Sequence, residues 1–272
     1  MFIDSNEKYK SPEMEQIYKN LIEQFYSLDE REQHAIFVYK SRFFLFVSKI
    51  LNIENYKSLS GIELETIIKN DIDYDVMHGI FKGFHGTIGG SKLKENPIFK
   101  FIDTESFANM LESIKTVVPY IESASSKMIL QEDITVYRAT NGSEIPSGKL
   151  SNSGVVSTST CKETARGFMA DYDPFRPMHY GSVGTLYELE IKKGTHVMVS
   201  PKGVERRNGG ILTLIDSDQN EILFLSREVE HELEPTRVLN IQGTNKTIDV
   251  IKGIVKPKGF LISEQSSNGI AR

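Results

Sequence analysis

Ile134-Thr135-Val136-Tyr137-Arg138-Ala139 is the stretch at which the periodicity of this chain changes. It is rich in β-branched and aromatic residues and runs into Asn141-Gly142, a turn signal, so it reads as a strand. Forward from it, residues 155–159, 183–191, 195–199, 211–215, 221–225, 237–241 and 250–255 are short runs rich in Val, Ile and Tyr. Gly, Pro, Asn and Asp separate them, which is the pattern of an antiparallel sheet system. Backward from it, residues 11–130 carry apolar side chains at helical spacing. A block of helices followed by a block of strands indicates an α+β fold and not an alternating α/β one.

The helical block has readable punctuation. Ser11-Pro12 is an N-cap with proline at the first helical position. Met14, Ile17, Tyr18, Leu21, Ile22 and Phe25 then share one helical face. Ser27 and Glu30 have capping-box spacing and are expected to open a second helix. That helix would carry Ile36, Phe37, Phe43, Phe44, Val47, Ile50 and Leu51, apolar on more than one side and therefore buried. Residues 62–69 suggest a shorter helix, and the glycine-rich residues 83–90 a loop. Phe107, Met110, Leu111, Ile114, Val117 and Val118 mark another amphipathic helix, which Pro119 breaks or kinks. A short helix at residues 121–128 leads into the first strand, and the last ten residues read as a frayed tail.

Bulk properties exclude several classes. The chain has 272 residues, enough for one large domain or two small ones. Hydrophobic content of 39% and charged content of 25% are those of a globular soluble protein. A net charge of −5 argues against a dedicated nucleic-acid binder, although residues 202–207 (KGVERR) form a local basic patch. The single cysteine, Cys161, cannot form an intramolecular disulfide. It reads as a small residue packing beside Ser159, since nothing near it in sequence would activate a thiolate. The N-terminus has no apolar core of signal-peptide length. The most apolar stretch, residues 43–51, is interrupted by Ser48 and Lys49 and falls short of the ~20 residues that span a bilayer.

Three motifs are set aside. Gly86-Thr87-Ile88-Gly89-Gly90-Ser91-Lys92 lacks the Lys-then-Ser/Thr ending and the preceding strand of a phosphate loop. His78 and His85 have no cysteine or carboxylate partners at zinc-ligand spacing, so they read as packing or surface residues. Glu228, Glu230, Glu232 and Glu234 alternate with Val229, His231 and Leu233, most simply as a strand or loop with a solvated acidic face. A second Glu-x-Glu catalytic element is the alternative there.

Three further segments fall in order along the strand block. They are Tyr137-Arg138 at a strand end, Val155-Val156-Ser157-Thr158-Ser159, and Gln219-Asn220-Glu221 entering an apolar run. Taken singly, each has an ordinary reading: a surface arginine, an edge strand, a solvated glutamate. In this order and context, with Gly209-Gly210-Ile211 ahead of the third, they resemble the mono-ADP-ribosyltransferases of the Arg–Ser–Glu class. Those enzymes use NAD as a substrate. The resemblance covers roughly residues 105–245.

The resemblance implies a helical N-terminal block followed by an antiparallel, split β-sandwich core. Residues 1–104 would be a helical region for target binding or delivery, 105–262 the catalytic domain and 263–272 a flexible tail. Arg138 would bind NAD, because a planar guanidinium takes phosphate or ribose oxygens in pairs as an ammonium cannot. Glu221 would be the catalytic carboxylate, facing the positive charge that develops as the nicotinamide–ribose bond opens. Ser157 would hold Glu221 in place. The resemblance also places the Ala139 backbone on the nicotinamide amide, Thr158 and Ser159 around the nicotinamide, and the Phe168 ring against it. Residues 171–180 would form a mobile cover, and no metal is implied.

Relatives that modify arginine carry Glu where this chain has Gln219, since a protonated guanidinium needs a carboxylate to become a nucleophile. Gln219 instead offers a paired donor and acceptor, which points to an Asn or Gln amide on a target protein. Water, a guanine base and arginine are the alternative acceptors, and a catalytically silent interaction protein is the alternative class. The family includes bacterial toxins, injected effectors and phage enzymes. The expectation is a soluble chain made in the cytoplasm without a secretory signal, with NAD and a host protein as partners.

Overall fold

A computed structural model describes residues 12–41, 43–71, 73–85, 101–141, 150, 154–167, 184–199, 221–240 and 247–259. The helices are α1 Pro12–Ser27, α2 Glu30–Lys40, α3 Phe44–Asn52, α4 Gly61–Ile68, α5 Tyr74–His85, α6 Phe107–Lys115, α7 Val118–Lys127 and α8 Lys162–Gly167. The strands are β1 Ile134–Asn141, β2 Val155–Ser159, β3 Gly184–Ile191, β4 Glu221–Leu225, β5 Val229–Asn240 and β6 Thr247–Pro257.

The box that opens α2 is Asp29 with Glu32, not Ser27 with Glu30. The Asp29 carboxylate accepts from the Arg31 and Glu32 N–H groups, and the Glu32 carboxylate accepts from the Asp29 N–H. Ser27 is the last residue of α1 and its hydroxyl donates to the Gln24 carbonyl. Because the Leu28 N–H still bonds the Phe25 carbonyl, the chain leaves helical geometry late, and Asp29 is the first residue free to cap. The long second helix also divides. Ser41 is extended and its hydroxyl donates back to the Val38 carbonyl, so α2 stops at Lys40 and α3 begins at Phe44. Residues 83–85, expected in a loop, close α5. Pro119 ends the preceding run and becomes the second residue of α7, where its missing N–H costs no helical bond.

The α+β reading holds, and the sheet is mixed. Its order is β4-β2-β1-β3-β6-β5. Four pairings are antiparallel, but β3 and β6 run parallel from Gly184↔Ile248 to Ile191↔Val255. Local periodicity reveals a strand but not its partner, and the chain makes β4 and β5 between β3 and β6. Among the described residues the strands form this one sheet. Residues 195–199, expected as a strand, contribute two isolated bridges, Ile129↔His196 and Met198↔Leu223. Glu230, Glu232, Glu234 and residues 237–240 merge into β5, Glu228 lies in the turn before it, and 211–215 lie outside the described residues.

Helices and sheet share one apolar core. Phe25, Phe46 and Ile50 join Met110 and Ile121, then Val136, Tyr187 and Phe224, without interruption at residue 104. Polar clasps reinforce the junction. The Gln24 side-chain amide donates to the Ile129 carbonyl at 3.1 Å and accepts from its N–H at 2.7 Å, just before β1. Arg227, in the turn after β4, pairs with Glu122 of α7 at 2.5 Å. No helix among the described residues is long and apolar enough to cross a membrane.

Candidate active site

β2 lies between β1 and β4 and organises the site. The β2–β4 ladder sets Ser159 opposite Glu221 and Ser157 opposite Leu223. Ser157 and Glu221 are therefore diagonal neighbours on one side of the two strands. The Ser157 hydroxyl donates to Glu221 Oε1. On the other flank β1 meets β2 at Tyr137↔Ser159, and Arg138 Nη1 donates to the Ser157 carbonyl at 2.9 Å. A guanidinium, a hydroxyl and a carboxylate from three distant stretches thus converge on one strand.

A fourth group completes the arrangement, and sequence reasoning missed it. Lys40, the last residue of α2, places its ammonium 2.8 Å from Glu221 Oε2, with the two side chains 7% and 12% exposed. Both carboxylate oxygens of Glu221 are therefore engaged, one by the sheet and one by a helix. Breaking an ion pair this buried by removing one partner costs about 3–5 kcal/mol. The available signal was a lysine at the end of a helix that is apolar on several sides. Beside it, Tyr39 is buried, and burial pushes its phenol well above the ordinary range. The Glu221 carboxylate adds to that rise and the Arg138 guanidinium opposes it, so Tyr39 stays neutral at the site wall.

The remaining sequence-named residues fall around this centre. Thr158 is buried and its hydroxyl donates to the Ile222 carbonyl at 2.7 Å, tying β2 to β4. Ser159 Oγ accepts from the Cys161 N–H at 3.0 Å, and the Cys161 carbonyl accepts from Ala165 as α8 begins. Ala139 pairs with Leu186 in the β1–β3 ladder and, with Tyr137, packs against Ala165 and Leu186. Phe168, Gln219, the 171–180 stretch and residues 202–215 lie outside the described residues.

The motifs set aside have structural roles where they are described. His78 stacks on Tyr74 and Phe81 and meets the Phe107 ring edge-on. Glu230, Glu232 and Glu234 are the exposed alternation of β5, with Glu232 paired to Lys256 at 2.7 Å. Among the described residues there is no group of three or more His, Cys, Asp or Glu able to hold a metal ion.

No family model and no curated protein matches the sequence. Among solved structures the chain is similar to ADP-ribosyltransferases of bacteria. Plx2a, an ADP-ribosyltransferase toxin from Paenibacillus larvae, shares 15% identity over 89% of this chain and 94% of its own, with a TM-score of 0.45. C3stau2 from S. aureus, solved with NAD, shares 17% identity over 93% and 99% with a TM-score of 0.44. Vis toxin, an ADP-ribosyltransferase from Vibrio splendidus, shares 13% identity over 92% and 88% with a TM-score of 0.41.

Proposed function

We propose that the chain is an NAD-dependent mono-ADP-ribosyltransferase that moves ADP-ribose from NAD to a side chain on a target protein and releases nicotinamide. The observation that carries this reading is the convergence of Arg138, Ser157 and Glu221 around β2. Arg138 supplies the positive fork for the anionic diphosphate or ribose oxygens of NAD. The ribose–nicotinamide bond breaks with its electron pair leaving on the neutral nicotinamide, which leaves positive charge on the ribosyl carbon. Glu221, fixed by Ser157, faces that charge. The acceptor atom then bonds to the ribosyl carbon and its proton passes to solvent. In this reading Gln219 presents the acceptor, with an Asn or Gln side-chain amide favoured. Residues 105–262 supply the groups that face NAD, and surfaces of residues 1–104 away from Lys40 serve target contact or delivery.

The test is incubation with labelled NAD, alone and with cell lysate, followed by chromatography of nicotinamide and mass spectrometry of modified peptides. Nicotinamide release and a labelled protein side chain are expected, and both should disappear in Glu221→Gln. A chain that leaves NAD intact under both conditions is not this enzyme. Gln219→Ala is expected to lose transfer while still hydrolysing NAD. Equal loss of both activities would remove Gln219 from acceptor recognition.

A further inference from the structure

We infer that Lys40 is a positioning residue for Glu221, so that the helical layer, and not the sheet alone, sets the geometry of the carboxylate; this rests on the transferase reading above. A glutamate side chain has three rotatable bonds, and one hydrogen bond fixes one oxygen while leaving the carboxylate plane free to turn. Ser157 provides that single bond from β2. Lys40 supplies the second constraint from the helical layer, 2.8 Å from the other oxygen and nearly excluded from solvent. Two donors on two oxygens, approaching from two layers, define both the position and the rotation of the group.

The ammonium is itself well anchored. It follows Tyr39, whose ring is buried in the shared core, and stands at the point where Ser41 terminates α2. Its stem is packed, with the side chain 7% exposed, and is not a loose surface chain. The ladder partner of Glu221 is Ser159, whose hydroxyl oxygen accepts from the Cys161 N–H.

Orientation of a carboxylate toward a charge that exists only in the transition state should appear in turnover and not in substrate affinity. The experiment measures kcat and KM for NAD cleavage, NAD binding by calorimetry and the melting temperature of Lys40→Met, Lys40→Gln and Lys40→Arg. Lys40→Met is expected to lower kcat by about tenfold or more with KM and NAD affinity within about threefold of wild type. Lys40→Gln keeps a donor without the charge, guards against a misfolded Met variant, and should fall between. Lys40→Arg should recover most of the turnover. In the double variant with Ser157→Ala, the losses should combine to less than their product, because both donors act through one carboxylate.

Turnover unchanged or raised in both uncharged variants overturns the proposal. So does a fall in kcat matched by an equal fall in NAD affinity, or losses that multiply fully with those of Ser157→Ala. Wild-type protein that does not cleave NAD overturns the transferase reading itself, and with it this role. Wild-type cleavage beside an unaffected Lys40→Met removes the positioning role alone.

Discussion

A carboxylate opposite a short-lived cation works in a narrow range of orientations, and at Glu221 the Ser157 hydroxyl is the donor contributed from within the sheet. Ser157→Ala removes it without opening a cavity. The expected cost is about 1 kcal/mol of stability, measured by thermal melting. Turnover of NAD should fall by about 100-fold, the scale of losing one electrostatic support at a reacting centre. A fall below threefold would show that Ser157 merely packs. Arg138→Lys should weaken NAD binding by about tenfold, because an ammonium lacks the planar fork of which one nitrogen reaches the Ser157 carbonyl; equal calorimetric affinities would count against it. These three residues were legible from sequence through the order of their segments and the resemblance that order carries, since each alone had an ordinary reading. Arg138, expected at a strand end, lies within β1, which runs on to Asn141, and Ser157 lies mid-strand in β2. Lys40 was not, since nothing in the primary structure joins the last turn of a helix to a strand distant in the chain.

Elements were easier to find than their ends. The amphipathic spacing of α1 and α6 named the right buried faces, because a helix must bury one stripe wherever it packs. The N-terminus of α2 was misread because two overlapping pairs both satisfy the capping-box spacing. Asp29→Ala should cost about 1 kcal/mol by chemical denaturation, while Ser27→Ala, outside the cap, should cost little. The parallel β3–β6 pair was hidden for a different reason, since partner choice depends on the path of the intervening chain. Close packing also links elements to the site. A Cβ on Gly154, one residue before β2, would lie 2.6 Å from both Leu51 Cβ and the Ser48 carbonyl oxygen of α3. Gly154→Ala should therefore destabilise the protein by about 1–3 kcal/mol. It should also lower NAD turnover, because α3 and β2 must part. Unchanged melting would show that the contact yields freely.

Across the whole molecule, stability should follow the buried and half-buried ion pairs. Burial raises the carboxyl groups of Glu32, Asp71 and Glu122, but their hydrogen bonds and ion pairs, led by those from Lys127, Lys49 and Arg227 respectively, together outweigh it and hold all three below the ordinary range. Their contribution is fully present above the unfolded values, about 4.3 for Glu and 3.9 for Asp, and is lost as pH falls through the lower folded values. Lys49 and Lys127 are raised, so their contribution persists up to the unfolded lysine value of about 10.4 and is lost above it. Denaturation midpoints should thus be level from about pH 5 to 9 and decline on both sides. A midpoint that rises on acidification below 4 would contradict the pairing.

The two flanks of the sheet are closed by different means. Met198 bridges to Leu223 and shields β4, whereas β5 carries Pro235, a register shift and the exposed run Glu230, Glu232, Glu234. Such a flank repels a second copy of itself, so homotypic strand joining into filaments is disfavoured at neutral pH and becomes easier once those acids are neutralised.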